Sequence, residues 1–179
     1  MQARGPLMIE HRLIERILPV AKNVLDKIKS TGKADSVFVD KIADFIRIYA
    51  DQIHHGKEED ILFRCLDKKP LSAIDRKVMK ELIEEHVFGR QTTKGLVDAN
   101  MRYRNGDTAA LSEIADKLQI LINFYSKHIE KEDKMFFPAA QSYLSDQENQ
   151  AMLAEFREFD GKMIHKQYKA LVAQMEQTK

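Results

Sequence analysis

The sequence predicts an all-α protein, an up-down-up-down four-helix bundle with an additional C-terminal helix, and three observations carry that prediction. Apolar residues recur at spacings of three and four along most of the 179 residues, with little strict alternation. Seven glycines and four prolines punctuate a chain that is 32% charged, a composition of helices rather than sheet. Short turn-forming stretches separate the long periodic segments. The length is that of one ordinary domain, with the bundle over about residues 7–140 and the extra helix over about 145–178.

The first helix is expected from about Leu7 to Lys29, where the turn STGKADS stops it. Pro19 inside it predicts a kink or a short break. The second helix starts near Ser36 as N-cap and continues to about Leu66, weakened but not ended by Gly56. After the DKKP loop, Ser72 caps a third helix that reaches about Arg104. The NGD turn leads to a fourth, from near Thr108 to the FFP at Phe136–Pro138. Ser145, with Glu148 three residues on, forms a capping box for a fifth helix. Short connections make the first four helices antiparallel neighbours, and the fifth packs outside them or at one end.

Composition excludes several functions. Lys and Arg number 29 against 28 Asp and Glu, so no net field draws nucleic acid or an anionic membrane. No stretch approaches the roughly 20 apolar residues of a membrane span. The opening MQARGPLMIEHRLIERIL carries charges within its apolar pattern, unlike a signal peptide. A single cysteine, Cys65, leaves no intramolecular disulfide and no thiolate zinc or iron–sulfur site made by this chain alone, and reads as a small buried hydrophobe. These readings point to a soluble protein of the reducing cytoplasm.

At about 100° per residue, each side chain can be placed relative to its helix's apolar stripe. His54 and Glu58 continue the stripe of Val39, Ala43, Ile46, Ala50 and Ile61, whereas His55 and Glu59 turn toward the solvated edge. His128 and Glu132 sit within the stripe of Ile114, Leu118, Leu121, Tyr125 and Phe136, with Asp133 to one side. His86 is surrounded by Val78, Met79, Leu82 and Gly89, and His11 runs beside Leu7, Ile14, Leu18 and Leu25. Buried carboxylates are costly unless paired or metal-bound. Two glutamates and four imidazoles are therefore a poor core and a good ligand set for iron, manganese or zinc. The set also repeats: His11 to His86 is 75 residues, and His54 to His128 and Glu58 to Glu132 are each 74. Two hairpins, each giving a histidine and then His-x-x-x-Glu, would build a two-metal centre with bridging carboxylates. His55 is a further candidate as ligand, outer hydrogen-bond donor or exposed residue. Glu59 and Asp133 are expected to be solvated or to support the ligands, Tyr125 to be core, and His165 to be a surface or packing residue.

With these motifs, HHGKEEDILF echoed by HIEKEDKMFF, the sequence resembles the hemerythrin-like, HHE cation-binding family over roughly residues 7–140. The resemblance implies a non-haem di-iron centre in a four-helix bundle, with His11, His54, His86 and His128 as terminal ligands and Glu58 and Glu132 as bridges. The sequence departs from the oxygen-carrying hemerythrins, which place a second histidine one turn after the third helix's first; here that position is Arg90. It is closer to hemerythrin-like proteins with His-x-x-x-Glu on two helices, including iron–sulfur-cluster repair proteins. Open metal positions and no evident general acid or base suggest redox chemistry with oxygen, nitric oxide or peroxide. A sensor or iron-binding module without turnover, its outer helix read by a protein partner, is the second reading. A helical interaction protein with incidental histidines is the third. The fifth helix could also carry a homodimer.

Overall fold

Capping chemistry sets the helix boundaries. In the computed structural model of the protein, residues 2–177 are described, with side chains through Met163. Helix α1 spans Arg4–Thr31. Gly32 closes it at φ 64°, a left-handed conformation that strains a side chain, and its amide donates to the Ile28 carbonyl. The helix runs unbroken through Pro19. That residue is exposed, so the Glu15 carbonyl that loses its helical partner lies on the water-facing side.

Helix α2, residues 36–67, is not uniform. It is α-helical over Ser36–Phe45, π-helical over Ile46–His55 and again over Glu58–Phe63, then α-helical over Arg64–Asp67. Its N-cap is Asp35 rather than Ser36, because the Asp35 carboxylate accepts from the Phe38 amide at 3.1 Å. Helix α3 spans Ala73–Arg104, with Ser72 Oγ accepting from the Asp75 amide as predicted. Helix α4, residues 110–141, is α-helical over Ala110–Lys131, π-helical over Glu132–Phe136 and α-helical over Phe137–Gln141. Helix α5 spans Asp146–Gln177, and the capping box forms at its start: Ser145 Oγ accepts from the Glu148 amide, and Glu148 accepts from the Ser145 amide at 2.9 Å. No strand occurs among the described residues.

Helix α3 lies along α4, α4 along α1, and the start of α2 along α3, while α2 also meets α1. Helix α5 lies against the two π-helical stretches of α2. The apolar core falls into two clusters. One contains Ile14, Leu25, Ile46, Ala50, Leu118 and Tyr125. The other contains Leu7, Ile61, Leu82, Phe136, Phe137 and Phe156. Along each of α1 to α4 the chain passes from one cluster to the other through buried polar residues: His11 on α1, His54, His55, Lys57 and Glu58 on α2, His86 on α3, and His128 and Glu132 on α4. Burial on this scale requires partners, and the arrangement of those partners defines the site.

Candidate metal centre

Four histidines are held the same way. His11 Nδ1 faces Asp133 at 2.7 Å, His54 Nδ1 faces Glu10 at 2.9 Å, His86 Nδ1 faces Glu59 at 2.7 Å, and His128 Nδ1 faces Glu85 at 2.8 Å. Each carboxylate is in turn paired with a cation: Asp133 with Arg12, Glu10 with Lys57, Glu59 with Arg90, and Glu85 with Lys131. An ionised carboxylate only accepts, so it places the ring proton on Nδ1 and the lone pair on Nε2.

All four Nε2 atoms point inward, toward the oxygens of Glu58 and Glu132. Glu58 Oε1 lies 3.5 Å from His54 Nε2, and its Oε2 lies 3.4 Å from His86 Nε2. Glu132 Oε2 lies 3.1 Å from His11 Nε2, and its Oε1 lies 3.4 Å from His128 Nε2 and 3.8 Å from His86 Nε2. Glu58 therefore turns one oxygen toward His54 and the other toward His86, and Glu132 turns one toward His11 and the other toward His128 and His86. The four Nε2 atoms and all four oxygens are buried and make no hydrogen bond within the protein. Lone pairs facing lone pairs in a buried layer repel, and a cation between them converts the repulsion into coordination. The residues present thus fit a metal. His11, His54, Glu58 and Glu132 each offer an atom within 4.8 Å of the others, and so, as a second group, do His55, His86 and His128.

His55 is not at the solvated edge where uniform α-helical geometry would put it; it is buried. The cause is the π-helical stretch that ends on it. With i→i+5 hydrogen bonds a turn holds more residues, successive side chains rotate by less than 100°, and the adjacent His54 and His55 both stay inside. His55 stacks on His86 with ring centroids 3.9 Å apart and planes 9° from parallel. Its Nδ1 lies 3.5 Å from Asp51 without a hydrogen bond. Tyr125 is core, as expected, and its ring lies 6.2 Å from that of His55. Glu59 and Asp133 support histidines rather than standing in solvent. Cys65 is half-buried rather than fully buried. The reading of His165 lies outside the described side chains.

Sequence reasoning did not single out Glu10, Glu85 and Lys57. A signal for them exists in the repeat: Glu10 and Glu85 each precede a repeated histidine, Glu59 and Asp133 each follow a repeated glutamate, and Lys57 and Lys131 keep the same 74-residue offset.

The model of the hemerythrin HHE cation-binding domain matches residues 6–140. The chain belongs to this family. The HHE match takes in every residue of the buried polar layer on α1 to α4. Among curated proteins, the chain is 23% identical over 152 residues to uncharacterized protein Rv1995 of Mycobacterium tuberculosis (strain ATCC 25618 / H37Rv). Uncharacterized protein Mb2018 of Mycobacterium bovis (strain ATCC BAA-935 / AF2122/97) is similar to the same degree. These alignments cover 85% of this chain and 58% of each relative, so the chain spans little more than half the relatives' length. No solved structure matches the chain. As an HHE domain the chain is a cation-binding protein by family, and its His and Glu groups are suited to hold a metal. No described helix is long and apolar enough to cross a membrane.

Proposed function

We propose that this HHE domain, an up-down-up-down bundle over about residues 7–140 followed by its outer helix, holds two non-haem iron ions. His11 and His54 would bind one, His86 and His128 the other, and Glu58 and Glu132 would bridge them. The observation that carries this reading is the orientation of the two buried glutamates, each with one oxygen toward each histidine pair and neither oxygen hydrogen-bonded. His55 stays outside the ligand set. Parallel rings 3.9 Å apart send their lone pairs along nearly parallel lines, which do not converge on one ion at the roughly 2.1 Å of a metal–imidazole bond. Manganese or zinc would suit the same donors.

Six protein ligands shared between two ions leave positions open, and such a pair supplies a redox-active Lewis-acid centre for oxygen, nitric oxide or peroxide. The chain's own residues orient the ligands through the four outer carboxylates and exclude bulk water through the two flanking apolar clusters. A sensor role is the second reading. It is favoured by buried Lys57, which pairs with both Glu10, behind His54, and Asp160 of α5. Elemental analysis of protein purified without oxygen from iron-supplied cells tests the centre. About two irons per chain is the expected result, about one would mean that one half does not bind as drawn, and none after reconstitution would overturn the proposal. Exposure of the loaded protein to oxygen, nitric oxide and peroxide then separates the roles, since a sensor changes spectrum without turnover.

A further inference from the structure

The internal repeat is kept at the six inward ligands and broken beside them. At the 74-residue offset that maps His54 onto His128, His55 maps onto Ile129. At the 75-residue offset that maps His11 onto His86, Ile14 and Leu18 map onto Gly89 and Thr93. In the α1–α4 half these positions are apolar, with Ile14 and Ile129 fully packed in the core. In the α2–α3 half the smaller Gly89 and Thr93 line a cavity of about 290 Å³, and His55 lines it with them.

The cavity has a definite chemistry. Arg47 and Lys94 are exposed around it, and Arg90 and Asp51 are half-buried in its wall. The lining holds three cations and one carboxylate, and two carboxylates just outside it, Asp44 and Glu59, pair with Arg47 and Arg90. Arg90 is held by Asp51 at 2.7 Å and by Glu59. Arg47 meets Asp44 at 2.8 Å only across a solvent-exposed bridge of the kind that contributes little, and Lys94 has no carboxylate partner among the described residues. These two cations face outward at the mouth. Ile46, Val97 and Tyr125 form the apolar wall. The buried His55, with its unpartnered Nδ1, is the one imidazole of the lining.

We propose that this cavity binds a small organic anion, a carboxylate on a short apolar body, with its head at Arg47 and Lys94 and its body against Ile46, Val97 and Tyr125. The volume lies at the bottom of the roughly 300–1,000 Å³ range of small-molecule sites, so the body is short. A plain diatomic needs neither the cations at the mouth nor the apolar wall. That the bound anion is a substrate or effector of the metal centre, through His55 stacked on His86, rests on the function proposed above; the binding itself does not.

The test is titration of the purified protein with hexanoate and with its neutral twin, hexan-1-ol, followed by ligand-observed NMR and calorimetry. Hexanoate is expected to bind and hexanol to bind much more weakly. The double substitution Arg47→Glu/Lys94→Glu, at two exposed positions, is expected to weaken hexanoate by roughly tenfold or more through charge reversal. Val97→Trp, which fills the cavity, is expected to abolish binding, with circular dichroism confirming that each variant is folded. No hexanoate binding, equal binding of hexanol, or unchanged affinity in the charge-reversed variant would each overturn the proposal. Metal content measured on the same samples reports separately on the metal centre, so hexanoate binding without iron, or iron without hexanoate binding, shows which of the two readings has failed.

Discussion

Six buried polar side chains cannot all keep their ordinary charge in one layer. Burial, then the neighbouring Glu132 carboxylate, pushes Glu58 well above the usual carboxylate range. Burial pushes Glu132 the same way, but His128, His11 and His86 outweigh it and hold that carboxylate well below the usual range. Burial works against protonated His11, yet Asp133 and Glu132 raise its pKa to about 9. At pH 7 the metal-free layer therefore retains a proton on His11, and burial favours the protonated form of Glu58 as well, so a cation must displace protons to bind. We expect metal loading to release at least one proton per chain, read by calorimetry in buffers of different ionisation enthalpy, and affinity to increase as pH rises toward 9; loading without proton release would contradict this account. For folding of the metal-free chain the sign is opposite. The raised His11 pKa contributes stability that is fully present below about 6.5 and is lost as pH rises through about 9. The outer carboxylates give a second expectation. Glu10→Gln and Glu85→Gln should each lower metal affinity by about 10- to 100-fold, measured by competition with a chromophoric chelator, because each loosens the histidine it orients.

At the scale of elements, the π-helical stretches and the fifth helix are connected. Both π-helical stretches of α2 lie under α5, and Gly56 sits between them. A β-carbon at Gly56 would come within 2.7 Å of the tip of the Phe159 ring on α5. The next residue, Lys57, is buried, pairs with Glu10 and Asp160, and lies 5.9 Å from the Phe156 ring. Its repeat counterpart, Lys131, is half-buried and pairs with Glu81 and Glu85 of the bundle instead. Among the described residues, helix α5 thus reaches the buried polar layer from the α2 side, through Asp160, Lys57, Glu10 and His54. Replacing glycine with alanine within a helix gains about 1 kcal/mol, while displacing the ring tip costs packing of similar size. Gly56→Ala is therefore expected to leave global stability nearly unchanged and to speed amide exchange over residues 150–160. Unchanged exchange there would mean that α5 does not depend on this close approach.

For the whole molecule, the proposed centre would make stability a function of cation binding. Two apolar clusters flank a layer that, without a cation, is left to retained protons and unpaired buried lone pairs, so a metal bound there as proposed would contribute folding energy directly. Saturation at one hundred times the dissociation constant is worth about 2.7 kcal/mol. Glu58→Gln/Glu132→Gln replaces two carboxylates with amides that can donate to the inward Nε2 atoms. The metal-free variant is expected to melt at a higher temperature than the metal-free parent and to gain nothing from added iron. Thermal unfolding with and without metal checks both; a variant still stabilised by iron would place the binding elsewhere.

Much of this was legible along the chain, because helical periodicity is local. Spacings of three and four mark the inner face of each helix, capping residues mark the ends, and the 74- and 75-residue repeat marks which polar residues interrupt the apolar stripes. Ser72 and the Ser145–Glu148 box follow from side chains bonding to amides three residues away. The rest depends on residues distant in sequence. Asp133 meets His11 across 122 positions and Glu10 meets His54 across 44, and no periodicity within one helix specifies such a pairing. The burial of His55 depends on π-helical turns, in which a poorer local hydrogen-bond geometry is retained while side chains pack against three other helices. Local propensity selects the helices and their inner faces. Which carboxylate meets which imidazole, which half of the repeat stays open as a cavity, and which side α5 covers are settled by interhelical packing.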